Sequence, residues 1–157
     1  MIIHPIKPVF NKDSKVLILG SFPSVKSREE GFFYGHKKNR FWKILSLIFN
    51  QKQPLTIAEK TEFLLKNHVA IWDVIKSCEI TGSADSSIKD VVPNDLSEIL
   101  KKSKINRIFV NGKTAQKYYD KYLKEKTGIE AVLLPSSSPA NAVYSLDKLV
   151  DEWQKIK

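Results

Sequence analysis

The residues best suited to chemistry in this sequence are small and polar groups that follow apolar runs. Gly20-Ser21 follows the apolar residues 16–19, Asp73 lies in a second apolar run, and Asn111-Gly112 follows a third. A fourth apolar run leads into the serine- and proline-rich residues 135–141. Hydroxyls and backbone N–H groups in such segments bind phosphates and other anions. These four positions are the candidate site.

A second group of candidate residues lies between Gly20 and Trp42. It joins an aromatic run to a cluster of cations and consists of Phe32, Phe33, Tyr34, Lys37, Lys38, Asn39 and Arg40. The glycines on either side of the aromatic run indicate a loop that lines a pocket. Cations before a helix N-terminus favour an anion there, although such a run is by itself more often a solvated face.

The common catalytic and metal-binding motifs are absent. The chain has no G-x-S-x-G elbow, no P-loop and no G-x-G-x-x-G fingerprint. Its histidines, His4, His36 and His68, have no metal-ligand spacing, and Cys78 is the single cysteine. We therefore expect no metal and no cofactor.

The elements that must position these residues alternate along the chain. Strands are predicted over residues 16–19, 69–74, 107–110 and 131–134, and helices over residues 41–50, 57–67, 94–102, 114–123 and 146–156. Residues 1–14 are predicted as an irregular lead-in and residues 78–92 as a long loop. Continuous apolar strands between helices predict one α/β domain over residues 1–157, with a four-stranded parallel sheet. All four strand ends then meet at one edge.

The charge of the chain indicates which class of partner it would bind. The 157 residues carry a formal net charge of +9. Such a balance favours a polyanion, although a lysine-rich solubilising surface would give the same charge, and charge alone does not separate the two. No apolar run is long enough to span a membrane, and we expect a cytoplasmic protein without a membrane partner.

Three segments together resemble a known family. Residues 20–24 read G-S-F-P-S, residues 33–42 read F-Y-G-H-K-K-N-R-F-W, and residues 134–141 read L-P-S-S-S-P-A-N. This combination resembles the uracil-DNA glycosylase superfamily, most closely its hypoxanthine- or deoxyinosine-DNA glycosylase branch. The resemblance covers most of the chain, from Val16 to about Asn141. It implies a three-layer α/β/α sandwich, binding of DNA that contains a deaminated base, and removal of that base after it is flipped out of the duplex.

The resemblance also implies roles for individual residues. Asn39 would be catalytic. The flipped base would contact Gly20, Ser21, Phe22, Pro23, Tyr34, His36, Asp73 and Asn111, with Phe22 stacked on it. Ser83 and Asp85 lie on the same predicted edge and would be further candidates for reading the base. DNA would contact Lys37, Lys38, Arg40, Ser136, Ser137, Ser138, Pro139 and Asn141, of which the three serines would grip the phosphates.

Two departures from the family pattern shape the expected chemistry. Phe22 stands where related enzymes carry an aspartate or asparagine, and Ser136 replaces a histidine or asparagine, so we do not expect efficient uracil excision. An amide such as Asn39 cannot be a general base, but it can position water or stabilise charge. Asn39 would also suit the N-cap of the following helix, and both roles are compatible only if different atoms serve them.

The leading hypothesis is thus a monomeric glycosylase that removes hypoxanthine. A uracil or mismatch glycosylase, and a non-catalytic module that binds damaged DNA, are the alternatives. Either Glu29 or Glu30 could be a general base if folded inward, although adjacent glutamates are more often solvated.

Overall fold

A parallel sheet forms the centre of the computed structural model, which describes all residues from Met1 to Lys157. The strands are β1 (Ile2–Ile3), β2 (Val16–Gly20), β3 (Val69–Asp73), β4 (Ile75–Glu79), β5 (Lys89–Pro93), β6 (Arg107–Asn111) and β7 (Ala131–Leu134). The sheet has the order β3-β2-β6-β7, and every neighbouring pair is parallel. Every residue of β2 is buried, as expected for a central strand covered on both faces.

Helices cover both faces of this sheet. They are α1 (Val25–Glu30), α2 (Phe41–Ile48), α3 (Ile57–Lys66), α4 (Ser97–Lys101), α5 (Lys113–Tyr122), α6 (Lys124–Thr127) and α7 (Leu146–Trp153). Ile18 faces a core shared with α2, α3 and α7, whereas its neighbours Leu17 and Leu19 face a second core shared with α4 and α5. This alternation confirms the predicted three-layer α/β/α arrangement around a four-stranded parallel sheet.

The prediction of a continuous loop over residues 78–92 is wrong. Strands β4 and β5 form an antiparallel hairpin, and β1 joins it in a separate sheet of order β1-β4-β5. The lead-in is therefore not wholly irregular. Strand β5 has no periodic pattern, because its residues are exposed or half-buried and Asp90 adopts a positive φ of 56°. Residues 80–88 connect β4 to β5, and we call them the hairpin loop. This loop contacts Ser21 at the edge of the parallel sheet.

Several element boundaries differ from the predicted ones. Helix α1 was not predicted, and it is capped by Ser24, whose hydroxyl accepts from the Ser27 N–H. Helix α4 begins at Ser97 rather than at residue 94, because the Asn94 side chain is buried and donates to the Asp73 carbonyl at 2.9 Å. The predicted capping box at the start of α3 is present, with Thr56 and Glu59 exchanging hydrogen bonds. No helix is both long and apolar enough to cross a membrane.

Candidate active site

A cavity of about 400 Å³ opens at the carboxyl-terminal edge of the parallel sheet. This volume lies within the range of roughly 300–1,000 Å³ that is typical of small-molecule sites. Most predicted site residues line it: Gly20, Ser21, Phe22, Pro23, Tyr34, His36, Asn39, Asp73, Asn111, Ser136, Ser137, Ser138 and Pro139, together with Ser83 and Asp85. A depression of similar volume beside α7 contains none of them.

The remaining predicted residues lie outside the cavity lining. Lys37 and Lys38 are exposed, on the segment that joins His36 to Asn39. The Asn141 side-chain amide donates to the Ser136 carbonyl at 3.0 Å. This bond is internal to residues 135–141, which we call the serine loop. Glu29 and Glu30 lie at the end of α1, where Glu30 pairs with Lys26 at 3.5 Å, and neither lines the cavity.

Three side chains form a hydrogen-bonded network on one side of the cavity, which we call the amide network (Asn39, Asn111 and Ser137). The Ser137 hydroxyl donates to Asn39 Oδ1 at 2.9 Å and accepts from Asn111 Nδ2 at 3.0 Å. The Ser137 N–H donates to Asn111 Oδ1 at 3.0 Å. Ser137 is fully buried. Its side chain therefore positions Asn39 and Asn111, while its predicted contact with a phosphate stays a prediction.

The network fixes the orientation of Asn39. Its Oδ1 accepts from the backbone N–H of Phe41, the first residue of α2, at 3.0 Å, as well as from Ser137. The oxygen thus pairs with the first N–H of α2, whose N-cap position is Arg40, while the Nδ2 group makes no hydrogen bond within the protein and Asn39 lines the cavity. Asn39 Nδ2 is therefore available as an N–H donor to a ligand in the cavity. The N-cap prediction for Asn39 is wrong by one position, and its predicted catalytic role stays a prediction.

Arg40 has an internal role that the sequence did not reveal. Its guanidinium donates to the carbonyls of Tyr144, Ser138 and Asn141 at 2.6, 3.0 and 2.9 Å. These bonds hold the serine loop against the start of α2. Nη1 and Nη2 of Arg40 are thus engaged with backbone oxygens, and the predicted contact of Arg40 with DNA stays a prediction.

The serine loop keeps two side chains at the cavity. The Ser136 hydroxyl accepts from the Ser138 N–H at 3.1 Å, and the Ser138 hydroxyl accepts from the Ala140 N–H at 3.2 Å. Both hydroxyls still have a proton to donate. Pro139 is exposed beside them.

Buried polar groups meet at the cavity floor, a name we use for Gly20, Tyr34 and Asp73. A side chain at Gly20 would collide with the Asp73 carboxylate and lie 3.0 Å from the Tyr34 hydroxyl, so only glycine fits there. Asp73 Oδ2 accepts from His4 Nε2 at 2.7 Å, and both side chains are almost fully buried. Asp73 Oδ1 has no hydrogen-bond partner within the protein. The floor therefore presents a carboxylate oxygen to the cavity.

His4 is a residue of the site that sequence reasoning missed. Its Nδ1 accepts from the Ile6 N–H at 3.1 Å, so the ring proton is on Nε2 and the imidazole can donate to Asp73 while neutral. His4 directly follows strand β1, which has two residues and pairs with β4. No pattern in so short a segment signals its position.

Tyr34 points a buried hydroxyl toward the floor without a partner. Its ring stacks on Phe41 with centroids 3.9 Å apart, and its backbone has a positive φ of 52°. Burial raises the pKa of the hydroxyl far above its usual value, and the Asp73 carboxylate raises it further, while nearby Asn111 opposes the shift. The Asn111 amide is already engaged by Ser137. Tyr34 thus stays protonated as an unpaired donor.

Phe22 combines a core position with a place on the cavity lining. It is 8% exposed and belongs to the core beneath the loop. The His4 ring contacts it edge-on at 5.8 Å, and the Arg28 guanidinium lies 5.6 Å from its centroid. The predicted stacking of Phe22 on a base stays a prediction.

The hairpin loop forms the opposite boundary of the cavity. Ser83 accepts from the Val25 N–H at 2.9 Å, and Arg28 donates to the Gly82 carbonyl at 2.6 Å. Ser21 donates to Asp85 Oδ1 at 3.2 Å. Asp85 is exposed as a residue, but its carboxyl group faces Ser21 and the cavity, and desolvation there raises its pKa. Hydrogen bonds from Ser21 and Thr114 oppose the shift, and the Asp73 charge adds to it.

Comparison with models of known protein families identifies the family of this chain. The family model of the uracil DNA glycosylase superfamily matches residues 7–157. The chain belongs to this superfamily. The predicted family is therefore confirmed. One domain over residues 1–157 stays a prediction.

Relatives within the superfamily are similar over most of their length. A protein of Methanosarcina acetivorans named hypoxanthine DNA glycosylase is 33% identical over 158 residues, which cover 99% of this chain and 98% of the relative. A protein of the same name from Methanosarcina barkeri is 36% identical over 137 residues, 85% of each chain. The solution NMR structure of a candidate uracil DNA glycosylase from M. acetivorans superposes with a TM-score of 0.83 at 32% identity, covering 99% of this chain and 96% of the other.

Proposed function

We propose that this protein is a monofunctional DNA glycosylase that hydrolyses the N-glycosidic bond of deoxyinosine and releases hypoxanthine. The observation that carries the proposal is the orientation of Asn39, whose oxygen is held by Phe41 and Ser137 while its Nδ2 group lies on the cavity lining. The two relatives named hypoxanthine DNA glycosylase support it.

The cavity floor supports the choice of base. It offers a donor, the unpaired Tyr34 hydroxyl, beside an acceptor, Asp73 Oδ1. Hypoxanthine presents the complementary pair, the O6 acceptor next to the N1–H donor. Adenine presents the reverse, an amino donor next to the N1 acceptor, and would leave both floor groups unpaired at a cost of about 1–3 kcal/mol for each group. Uracil and xanthine also carry a carbonyl next to an N–H, so we propose them as secondary substrates.

Asn39 would act on the departing base. When the glycosidic bond breaks, its electron pair moves to the base, and a fixed N–H donor at that position stabilises the negative charge. The amide neither gives up nor accepts a proton in this role. Because Ser137 and Phe41 fix the amide before the substrate binds, it need not reorganise during the reaction.

The rim of the cavity would bind the DNA backbone. Ser136 and Ser138 can donate to phosphates, and Lys37 and Lys38 lie exposed on the adjacent segment. Pro139 and Asn141 belong to the same loop and would press on the duplex. The net charge of +9 favours this partner. We propose a monomer acting in the cytoplasm, without cofactor.

Base release from defined duplexes tests the proposal. Duplexes carrying inosine, uracil, xanthine or no lesion are incubated with the protein, and abasic sites are then cleaved with alkali. We expect cleavage at inosine, reduced roughly 100- to 1,000-fold in Asn39→Ala, as when a single transition-state donor is removed. Asn106→Ala, an exposed asparagine at the opposite edge of the sheet, is the matched control and should keep full activity.

The alternatives predict different outcomes. Cleavage at uracil alone would identify a uracil or mismatch glycosylase. Lesion binding without strand cleavage would identify a non-catalytic module and overturn the proposal.

A further inference from the structure

The orientation of Asn39 leaves the attacking water without an acceptor from that residue. Asn39 Oδ1 already accepts from the Phe41 N–H and the Ser137 hydroxyl, and Nδ2 can only donate. Hydrolysis joins a water oxygen to C1′ of the sugar, so a proton of that water must pass to an acceptor. Another group that lines the cavity must therefore accept this proton.

The lining contains few groups with basic oxygens or nitrogens. Asp73 lies on the floor, where His4 holds its Oδ2 and Tyr34 and Gly20 surround its Oδ1. His36 is exposed and its Nδ1 accepts from the Lys38 N–H at 3.1 Å. Asp85 is the other carboxylate on the lining, and it belongs to the hairpin loop rather than to the floor.

Asp85 and the amide network are held by different partners. The Ser21 hydroxyl donates to its Oδ1 at 3.2 Å, whereas Asn39 is anchored by Ser137. A carboxylate has about four lone-pair sites, so hydrogen bonds from Ser21 and Thr114 leave room for a water. A negative charge beside DNA phosphates weakens binding, so a carboxylate is an unexpected side chain at this site unless it serves the reaction.

We propose that Asp85 is the general base of this enzyme, an inference that rests on the proposed glycosylase function. The carboxylate holds the water and accepts one of its protons as the water oxygen bonds to C1′. The bond between C1′ and the base nitrogen breaks, and its electron pair leaves with the base, which Asn39 Nδ2 stabilises and solvent protonates. Asp85 then returns its proton to solvent. The products are an abasic deoxyribose and the free base.

The electrostatic surroundings of Asp85 support this role. Burial and the Asp73 charge raise its pKa, which makes the carboxylate a stronger base than an ordinary aspartate. The titratable or charged groups near it are Asp73 of β3, Cys78 of β4 and Arg28 of α1. Ser21 and Thr114 complete its surroundings as neutral donors.

The substitution Asp85→Asn separates basicity from structure. Asparagine has nearly the same size, and its Oδ1 can still accept from Ser21, so the hairpin loop keeps its tether. In single-turnover assays on an inosine duplex we expect the rate of base release to fall roughly 100-fold or more, the usual contribution of a general base. DNA affinity should not fall. Asp90→Asn, an exposed aspartate on β5 of the same hairpin, is the matched control and should keep full activity.

The pH profile supplies a second readout. A base acts when deprotonated, so the wild-type rate should fall as the pH drops through the pKa of Asp85, above the usual range of aspartate. This acidic limb should be absent in Asp85→Asn. A variant with the wild-type rate, or one whose loss follows weaker DNA binding or a lower Tm, would overturn the inference while leaving the glycosylase function intact. Absence of base release by the wild-type protein from every duplex would instead overturn the proposed function and the inference with it.

Discussion

The amide network and the cavity floor differ in how far their polar groups are hydrogen-bonded within the protein. In the network, Ser137 uses its N–H and its hydroxyl on Asn111 and Asn39, and Asn39 Oδ1 also accepts from the first N–H of α2. On the floor, the buried Tyr34 hydroxyl has no partner and Asp73 uses one carboxylate oxygen, on His4. Apart from Asn39 Nδ2, the network pairs its polar groups without a ligand, whereas the floor leaves the Tyr34 hydroxyl and Asp73 Oδ1 unpaired.

This difference separates residues that position other side chains from residues that would recognise the base. Paired buried groups rigidify a site, because breaking any one bond leaves another group unsatisfied. Unpaired buried groups cost free energy until a ligand pairs with them. Removing a paired group of the network should therefore lower both stability and activity, whereas removing the unpaired Tyr34 hydroxyl of the floor should lower activity alone.

Short of removing Asn39 itself, the largest combined effect on stability and on the rate of base release is expected for Ser137→Ala. It removes the donor to Asn39 Oδ1 and the acceptor for Asn111 Nδ2 at a fully buried position, which should lower the free energy of unfolding by about 1–3 kcal/mol. A misplaced Asn39 should also lower the rate of base release, up to roughly 100-fold. Urea unfolding and single-turnover assays measure the two effects.

A double-mutant cycle shows whether Ser137 acts through Asn39. If it does, Ser137→Ala should have little further effect on the rate in an Asn39→Ala background. Additive losses would show that Ser137 contributes independently and would end its assignment as a positioning residue. Ser103→Ala, which removes a hydroxyl bonded to the Ile99 carbonyl far from the cavity, is the control and should leave the rate unchanged.

A smaller, opposed pair of effects is expected at Arg40 and Lys37. Arg40→Lys keeps the charge but loses the fork that binds three carbonyls, so it should lower the free energy of unfolding by about 2–3 kcal/mol. Its DNA affinity should keep the wild-type salt dependence. Lys37→Ala should leave stability unchanged and reduce the slope of log affinity against log salt by about 1. A reduced slope in Arg40→Lys would show that the guanidinium contacts DNA as predicted.

The parallel sheet and the position of the site were predictable because both depend on local patterns. Four continuous apolar runs alternate with amphipathic segments, and strands of one direction bring Gly20, Asp73, Asn111 and the serine loop to one edge. Asn39 could be chosen from the family motif that surrounds it. Its two candidate roles were also foreseeable, since an amide carries one acceptor and one donor group.

The partners of these residues were not predictable because they depend on distant contacts. His4 reaches Asp73 across 69 positions, Arg40 reaches the serine loop across about 100, and Ser21 reaches Asp85 across 64. The hairpin that carries Asp85 lacks periodicity, because both strands are short and β5 is exposed or half-buried. Adjacent serines look alike in sequence, and only burial distinguishes Ser137 from Ser136 and Ser138.

The smallest effect on stability, and the sharpest contrast between the two regions, is expected for Tyr34→Phe. The change removes a buried hydroxyl that has no partner, so the free energy of unfolding should stay the same or rise by up to about 1 kcal/mol. Base release from inosine should nevertheless fall about 10-fold, the value of one hydrogen bond of about 1.4 kcal/mol. Thermal unfolding and single-turnover assays measure the two quantities.

Tyr119→Phe is the matched control, because its hydroxyl is paired. It donates to the Ile129 carbonyl at 2.6 Å and lies 2.7 Å from the Thr127 hydroxyl, on the far side of the sheet from α2. Its loss should lower the free energy of unfolding by about 1–3 kcal/mol and leave base release unchanged. If Tyr34→Phe destabilises the protein as much as Tyr119→Phe, the Tyr34 hydroxyl is satisfied without a ligand, and the floor no longer differs from the amide network.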